Sequence, residues 1–165
     1  VYNLGINGDT SSDLIRRFEQ EAGARFVRAE NNVIIFSIGI NDAVLLDDTE
    51  HYVAPEEFRQ NISSLISLAR RFGPIVFVGL TKVEESKTTP ISWQRRWYYR
   101  NNSIETYDAT LREVSTQEKI PFIDLMPIFS ESYYKLLDDG LPPNAEGHQK
   151  VFEIVKTQLS NHNLI

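Results

Sequence analysis

Three short segments of the chain combine residue types that can stabilise charge or move protons. The first reads Tyr2-Asn3-Leu4-Gly5-Ile6-Asn7-Gly8-Asp9-Thr10. Its glycines suit a strand-to-helix turn, and the backbone N–H of Gly8, beside a helix start, could donate to an anion such as a phosphate. The three-glycine spacing of a dinucleotide fingerprint is absent. The second segment reads Ser37-Ile38-Gly39-Ile40-Asn41-Asp42. An asparagine directly after a buried strand can aim its side-chain amide at a developing oxyanion, where one donor lowers a barrier by roughly 3 kcal/mol. It can equally close an Asx-turn that ends the strand. The third runs from Asp138 through Asp139, Gly140, Pro142 and Asn144 to His148. It offers carboxylates close to a helix start, or a polar loop.

Other candidates carry weaker patterns. His148 falls in the first turn of the last helical stretch and reads as structural. His51, near Asp47, Asp48 and Glu50, has no metal-ligand spacing and reads as a solvated loop residue. Ser11 and Ser12 read as helix-start residues. Cysteine is absent, which removes disulfides, thiolate metal sites and cysteine nucleophiles and leans towards a reducing compartment.

The elements that would position these segments alternate between β-branched runs and amphipathic helical patterns, the signature of a parallel sheet covered on both faces. Strands are expected at Val1–Leu4, Val33–Ile38, Ile75–Leu80 and Pro121–Asp124. A helix starting at Asp9, Thr10 or Ser11 would bury Leu14, Ile15, Phe18 and Ala22. A second begins at Pro55, with Glu56 and Glu57 in its first turn, a core stripe of Phe58, Ile62, Leu65, Ile66 and Ala69, and Gly73 beyond its end. A long loop from about Thr81 to Arg100 precedes a helix with Ile104, Tyr107, Leu111 and Val114 on one face. Asn144 caps the last helix, whose inward face is expected to carry Val151, Phe152, Val155 and Leu159. In open α/β sheets functional groups gather at the carboxyl ends of the strands, which is where the three segments fall.

Composition narrows the partners. The 165 residues fit one domain, and 41% hydrophobic with 24% charged residues is an ordinary globular balance. No apolar run approaches the ~20 residues of a membrane span. A net charge of −6 disfavours nucleic acid. The densest basic stretch, Arg95, Arg96 and Arg100 among Trp93, Trp97, Tyr98 and Tyr99, is expected to be a lid over a small-molecule site. The chain starts at Val1 and its one methionine is Met126, so a preceding segment is expected.

Taken in order, the three segments resemble the SGNH/GDSL hydrolase family, and the resemblance runs over essentially the whole chain. It implies a three-layer α/β/α, flavodoxin-like parallel sheet and an ester or thioester hydrolase that works through an acyl-serine without metal or cofactor. It further implies oxyanion donors at Gly8 and Asn41 and a triad acid at Asp139. The family's histidine position, three residues after the acid, holds Pro142, which has no titratable group. The family's Gly-Asp-Ser nucleophile motif does not occur, and its strand would precede Val1 and lie between Val1–Leu4 and Val33–Ile38. The expectation is therefore a hydrolase domain whose nucleophile strand lies upstream, or an inactive binding module that keeps the fold.

Overall fold

The computed structural model describes residues 1–128 and 133–165; the loop expected after the last strand thus falls partly, at 129–132, outside the described residues. In chain order the elements are α1 (Ser11–Arg25), β1 (Ile34–Phe36), β2 (Leu45–Leu46), β3 (Glu50–His51), α2 (Pro55–Ala69), β4 (Ile75–Val78), α3 (Glu85–Thr88), β5 (Trp97–Tyr98), α4 (Asn101–Glu118), β6 (Phe122–Ile123) and α5 (Ala145–Asn161).

The framework is a parallel sheet in the order β1-β4-β6, with Ile35 opposite Val76 and Phe77 opposite Phe122. Strand side chains alternate between two apolar layers, as the period of two requires. Phe36, Ile75 and Phe77 join Phe18 and Ala22 of α1, the full predicted stripe of α2, and Ile104, Tyr107, Leu111 and Val114 of α4. Val76, Val78 and Ile123 turn the other way onto Val151, Ile154, Val155 and Leu159 of α5. The result is the expected three-layer α/β/α architecture.

Local chemistry explains the helix ends. At α1, Thr10 Oγ1 accepts from Asp13 N at 3.3 Å while the Asp13 carboxylate accepts from Thr10 N at 2.9 Å, a reciprocal capping box. Pro55 opens α2 with its φ already fixed. Asn144 accepts from Gly147 N at 3.0 Å at the start of α5.

Four expectations need correction. Val1–Leu4 forms no strand; no described strand lies beside it, and the Leu4 carbonyl is taken by the Arg17 guanidinium at 2.8 Å. The long loop is not structureless: it holds α3 and β5, and β5 completes a second, antiparallel sheet in the order β3-β2-β5. Phe152 points outward and is 57% exposed, because the contact stripe of α5 runs through Ile154 instead. His51 is paired with Leu45 and half-buried against the Tyr107 ring (centroids 5.6 Å apart), not a solvated loop residue.

No strand among the described residues pairs with the outer edge of β1, and Ile35 on it is 44% exposed. Among the described residues no helix is long and apolar enough to cross a membrane.

Candidate active site

Because the three sheet strands run parallel, the loops leaving β1, β4 and β6 emerge on one rim. The loop after β1 carries Asn41 and Asp42, and both are tied to the turn that enters α1. Asn41 Nδ2 donates to the Asp9 carbonyl at 2.9 Å. Asp42, with no solvent exposure, accepts from Ser11 N at 3.0 and 3.1 Å and from the Ser11 hydroxyl. Ser11 Oγ in turn accepts from Asn61 Nδ2 at 3.0 Å, and the same amide reaches Ser12 Oγ at 2.8 Å, so α2 joins the clamp. A carboxylate facing the first N–H groups of a helix is favoured by the helix dipole. Burial nevertheless pushes the Asp42 carboxyl above its ordinary value, with the Ser11 bonds pulling back part of the way.

Gly8 lies in the turn just before this clamp. Its φ of +87° is a conformation that side chains rarely adopt, and a methyl group there would meet nothing within 4 Å. Among the described residues the Gly8 N–H has no hydrogen-bond partner. The Asn41 amide has two N–H groups and uses one on Asp9. The segments of Gly8 and Asn41 are therefore in contact, with one free donor on each.

Asp139 sits at a different part of the rim. Its turn is held to the loop after β4, where Gly140 O accepts from Glu84 N at 2.8 Å. Asp139 itself is exposed and accepts weakly from Leu141 N at 3.4 Å. No hydrogen bond among the described residues joins it to Gly8 or Asn41. Pro142 is exposed, its carbonyl accepting from Asp138 N at 3.0 Å in the same turn. His148 is exposed on the first turn of α5, and its backbone N–H makes the helix bond to Asn144 O at 2.8 Å.

Over the Asn41 loop lies the small antiparallel sheet. Tyr99, just past β5 and fully buried, donates its hydroxyl to Asn41 Oδ1 at 3.0 Å. Burial raises its phenol well above the ordinary tyrosine value, so it stays protonated. Outward from Tyr99 the rings continue through Trp97 (6.4 Å) to Trp93 (5.6 Å) and Tyr52 (5.4 Å), and Trp93 and Tyr52 are exposed. Two of the three basic residues expected in a lid are neutralised: Arg96 pairs with Asp47 and Arg100 with Asp48 and Glu85. Among the described residues no group of three or more His, Asp or Glu is placed to hold a metal ion.

Sequence reasoning gave no role to Asp42 or Asn61, and read Tyr99 only as part of a lid. A signal for Asp42 was present: a carboxylate followed at once by Ala43 and Val44, with Ile38 and Ile40 close before it, is destined for burial and needs partners.

The fold is that of the GDSL-type acylhydrolases. Solved structures with the same fold include a GDSL-like lipase of Bacteroides thetaiotaomicron (TM-score 0.75, 19% identity, 96% of this chain and 74% of that one). They also include a catalytic mutant of an acetylxylan esterase of Geobacillus stearothermophilus (TM-score 0.69, 20% identity, 96% and 71%). A curated relative, the isoamyl acetate-hydrolyzing esterase of Saccharomyces cerevisiae, is 27% identical over 174 residues, covering 95% of this chain and 69% of the yeast protein. Residues 1–150 match the GDSL-like Lipase/Acylhydrolase family, and the chain belongs to it.

Proposed function

We propose that the protein containing this chain is built to hydrolyse esters or thioesters through an acyl-serine intermediate. The nucleophile comes from a strand upstream of Val1 that pairs with the edge of β1 left without a partner among the described residues. Gly8 N–H and the second Nδ2–H of Asn41 receive the negative oxygen of the tetrahedral intermediate, and Asp139 is the acid of the triad. The observation that carries this reading is the join between the two donor segments: Asn41 reaches Asp9, the neighbour of Gly8, and both retain a free N–H. The yeast relative's name points to a short-chain acetate of a small alcohol as the substrate class. The exposed rings of Trp93 and Tyr52 suit the apolar part of such a substrate.

Pro142 supports a second reading, a binding module that keeps the fold and the pocket without turnover. Proline supplies no base to take the serine proton, and loss of a triad member costs orders of magnitude in rate. One experiment separates them. The full-length protein, with Pro142 and with Pro142→His, is assayed on short p-nitrophenyl esters and labelled with a fluorophosphonate. Turnover and labelling that rise at least 100-fold with histidine support the hydrolase framework. Negligible turnover and no labelling in both forms, with each folded, overturn the hydrolase reading and leave the binding module.

A further inference from the structure

The Asn41 amide is held at both ends, and the chemistry of its partners fixes which end is which. A carbonyl oxygen can only accept, so the 2.9 Å contact with Asp9 O places Nδ2 on that side. Oδ1 then faces the Tyr99 hydroxyl at 3.0 Å, and because Oδ1 can only accept, Tyr99 must donate. Tyr99 is itself held by its backbone and its burial. Its N–H donates to Thr88 O at 3.0 Å, its carbonyl accepts from Thr88 Oγ1 at 2.9 Å, and its ring is fully buried. An unsupported primary amide can turn over and offer oxygen where a donor is needed; here that would break the bond to Asp9 O outright and force the Tyr99 hydroxyl to change from donor to acceptor. A hydrogen bond accepted by the amide oxygen also polarises the group and strengthens its N–H donors.

We infer that Tyr99 is a positioning residue for Asn41, pinning Oδ1 so that the second Nδ2–H faces the rim beside Gly8. The inference rests on the proposed role of Asn41 as an oxyanion donor for its catalytic meaning, but the orientation itself is independent of turnover. It also gives the small antiparallel sheet a task beyond covering the site, since Tyr99 continues directly from β5. The residue acts on the reaction only through Asn41, and nothing places its hydroxyl on the substrate.

The test has two arms. In the 15N-labelled chain the Asn41 side-chain amide signals are assigned by their loss in Asn41→Ala. Tyr99→Phe keeps the ring and its packing and removes only the hydroxyl. The expected result is a shift of both Asn41 Nδ2 proton signals and at least about 5-fold faster exchange of the proton bonded to Asp9, the effect of losing one hydrogen bond of ordinary net strength. Unchanged signals and exchange overturn the inference. In the full-length protein carrying Pro142→His, Tyr99→Phe is expected to lower kcat about 5-fold with KM unchanged and to add no further loss to Asn41→Ala. An equal loss in both backgrounds means that Tyr99 acts through packing alone and also overturns it. If Asn41→Ala leaves the rate untouched, the oxyanion reading fails, while the exchange arm still decides what Tyr99 does to the amide.

Discussion

Removing the Asp42 carboxylate tests the clamp that joins the Asn41 loop to α1. In Asp42→Ala the Ser11 N–H loses acceptors at 3.0 and 3.1 Å, and the Ser11 hydroxyl loses its acceptor at a site with no solvent exposure. A buried donor left unsatisfied costs about 1–3 kcal/mol, so two such groups set a gross loss of about 2–6 kcal/mol. The carboxylate's own desolvation, visible in its raised pKa, offsets part of that. The expected net loss is about 2–4 kcal/mol. Asp42→Asn keeps one acceptor oxygen for Ser11 and is expected to cost no more than half as much. Urea unfolding with unchanged m is the assay.

The pH dependence has a definite sign. The native carboxyl holds its proton more tightly than the ordinary value of 3.8, so Asp42 contributes most below that pH. Its contribution falls as pH rises through the native pKa, where the native state binds more protons than the unfolded one. The wild-type advantage over Asp42→Asn should therefore shrink from acid towards neutral pH. An advantage that grows over that range refutes the burial argument, and an Asp42→Ala variant within 0.5 kcal/mol of wild type refutes the clamp.

Two further outcomes follow from packing. Phe58 has no solvent exposure and packs at a tilt against Tyr107 with centroids 4.9 Å apart, so Phe58→Ala should cost about 3–5 kcal/mol in the same urea measurement. Gly140 combines a φ of +99° with a contact in which a methyl group would lie 2.8 Å from Lys87 Cβ, so Gly140→Ala should destabilise by about 1–3 kcal/mol. It should also perturb the amide signals of Glu84 and Lys87, and silence at those positions would mean that the turn is not seated on that loop.

The helical stripes were the most legible part of the chain. All five expected residues of α2 and all four of α4 are buried, because a 3.6-residue period over fifteen or more positions leaves one answer. The three sheet strands were visible as apolar runs, most clearly β4, whose four residues are all buried because both of its faces are covered. Strand character at Val1–Leu4 could be read only from residue type, and type without a pairing partner does not make a strand. The antiparallel sheet was hidden because its strands are two residues long, too short for any period to register. At the rim, the segments of Gly8, Asn41 and Asp139 could be named from the sequence. What lay out of reach was side-chain orientation: that Asn41 turns its nitrogen to Asp9 and its oxygen to Tyr99 depends on residues 32 and 58 positions away.

The Arg96–Asp47 and Arg100–Asp48 pairs fasten the outer aromatic layer from the solvent side, and the two aspartates occupy a tight turn with φ of 50° and 63°. Dissolved ions compete for such exposed charges, with a screening length of about 8 Å at physiological ionic strength. The apolar layers beneath respond oppositely, since strongly hydrated salts such as sulfate tighten them. A single variable, the salt around the molecule, thus loosens the roof while firming the foundations.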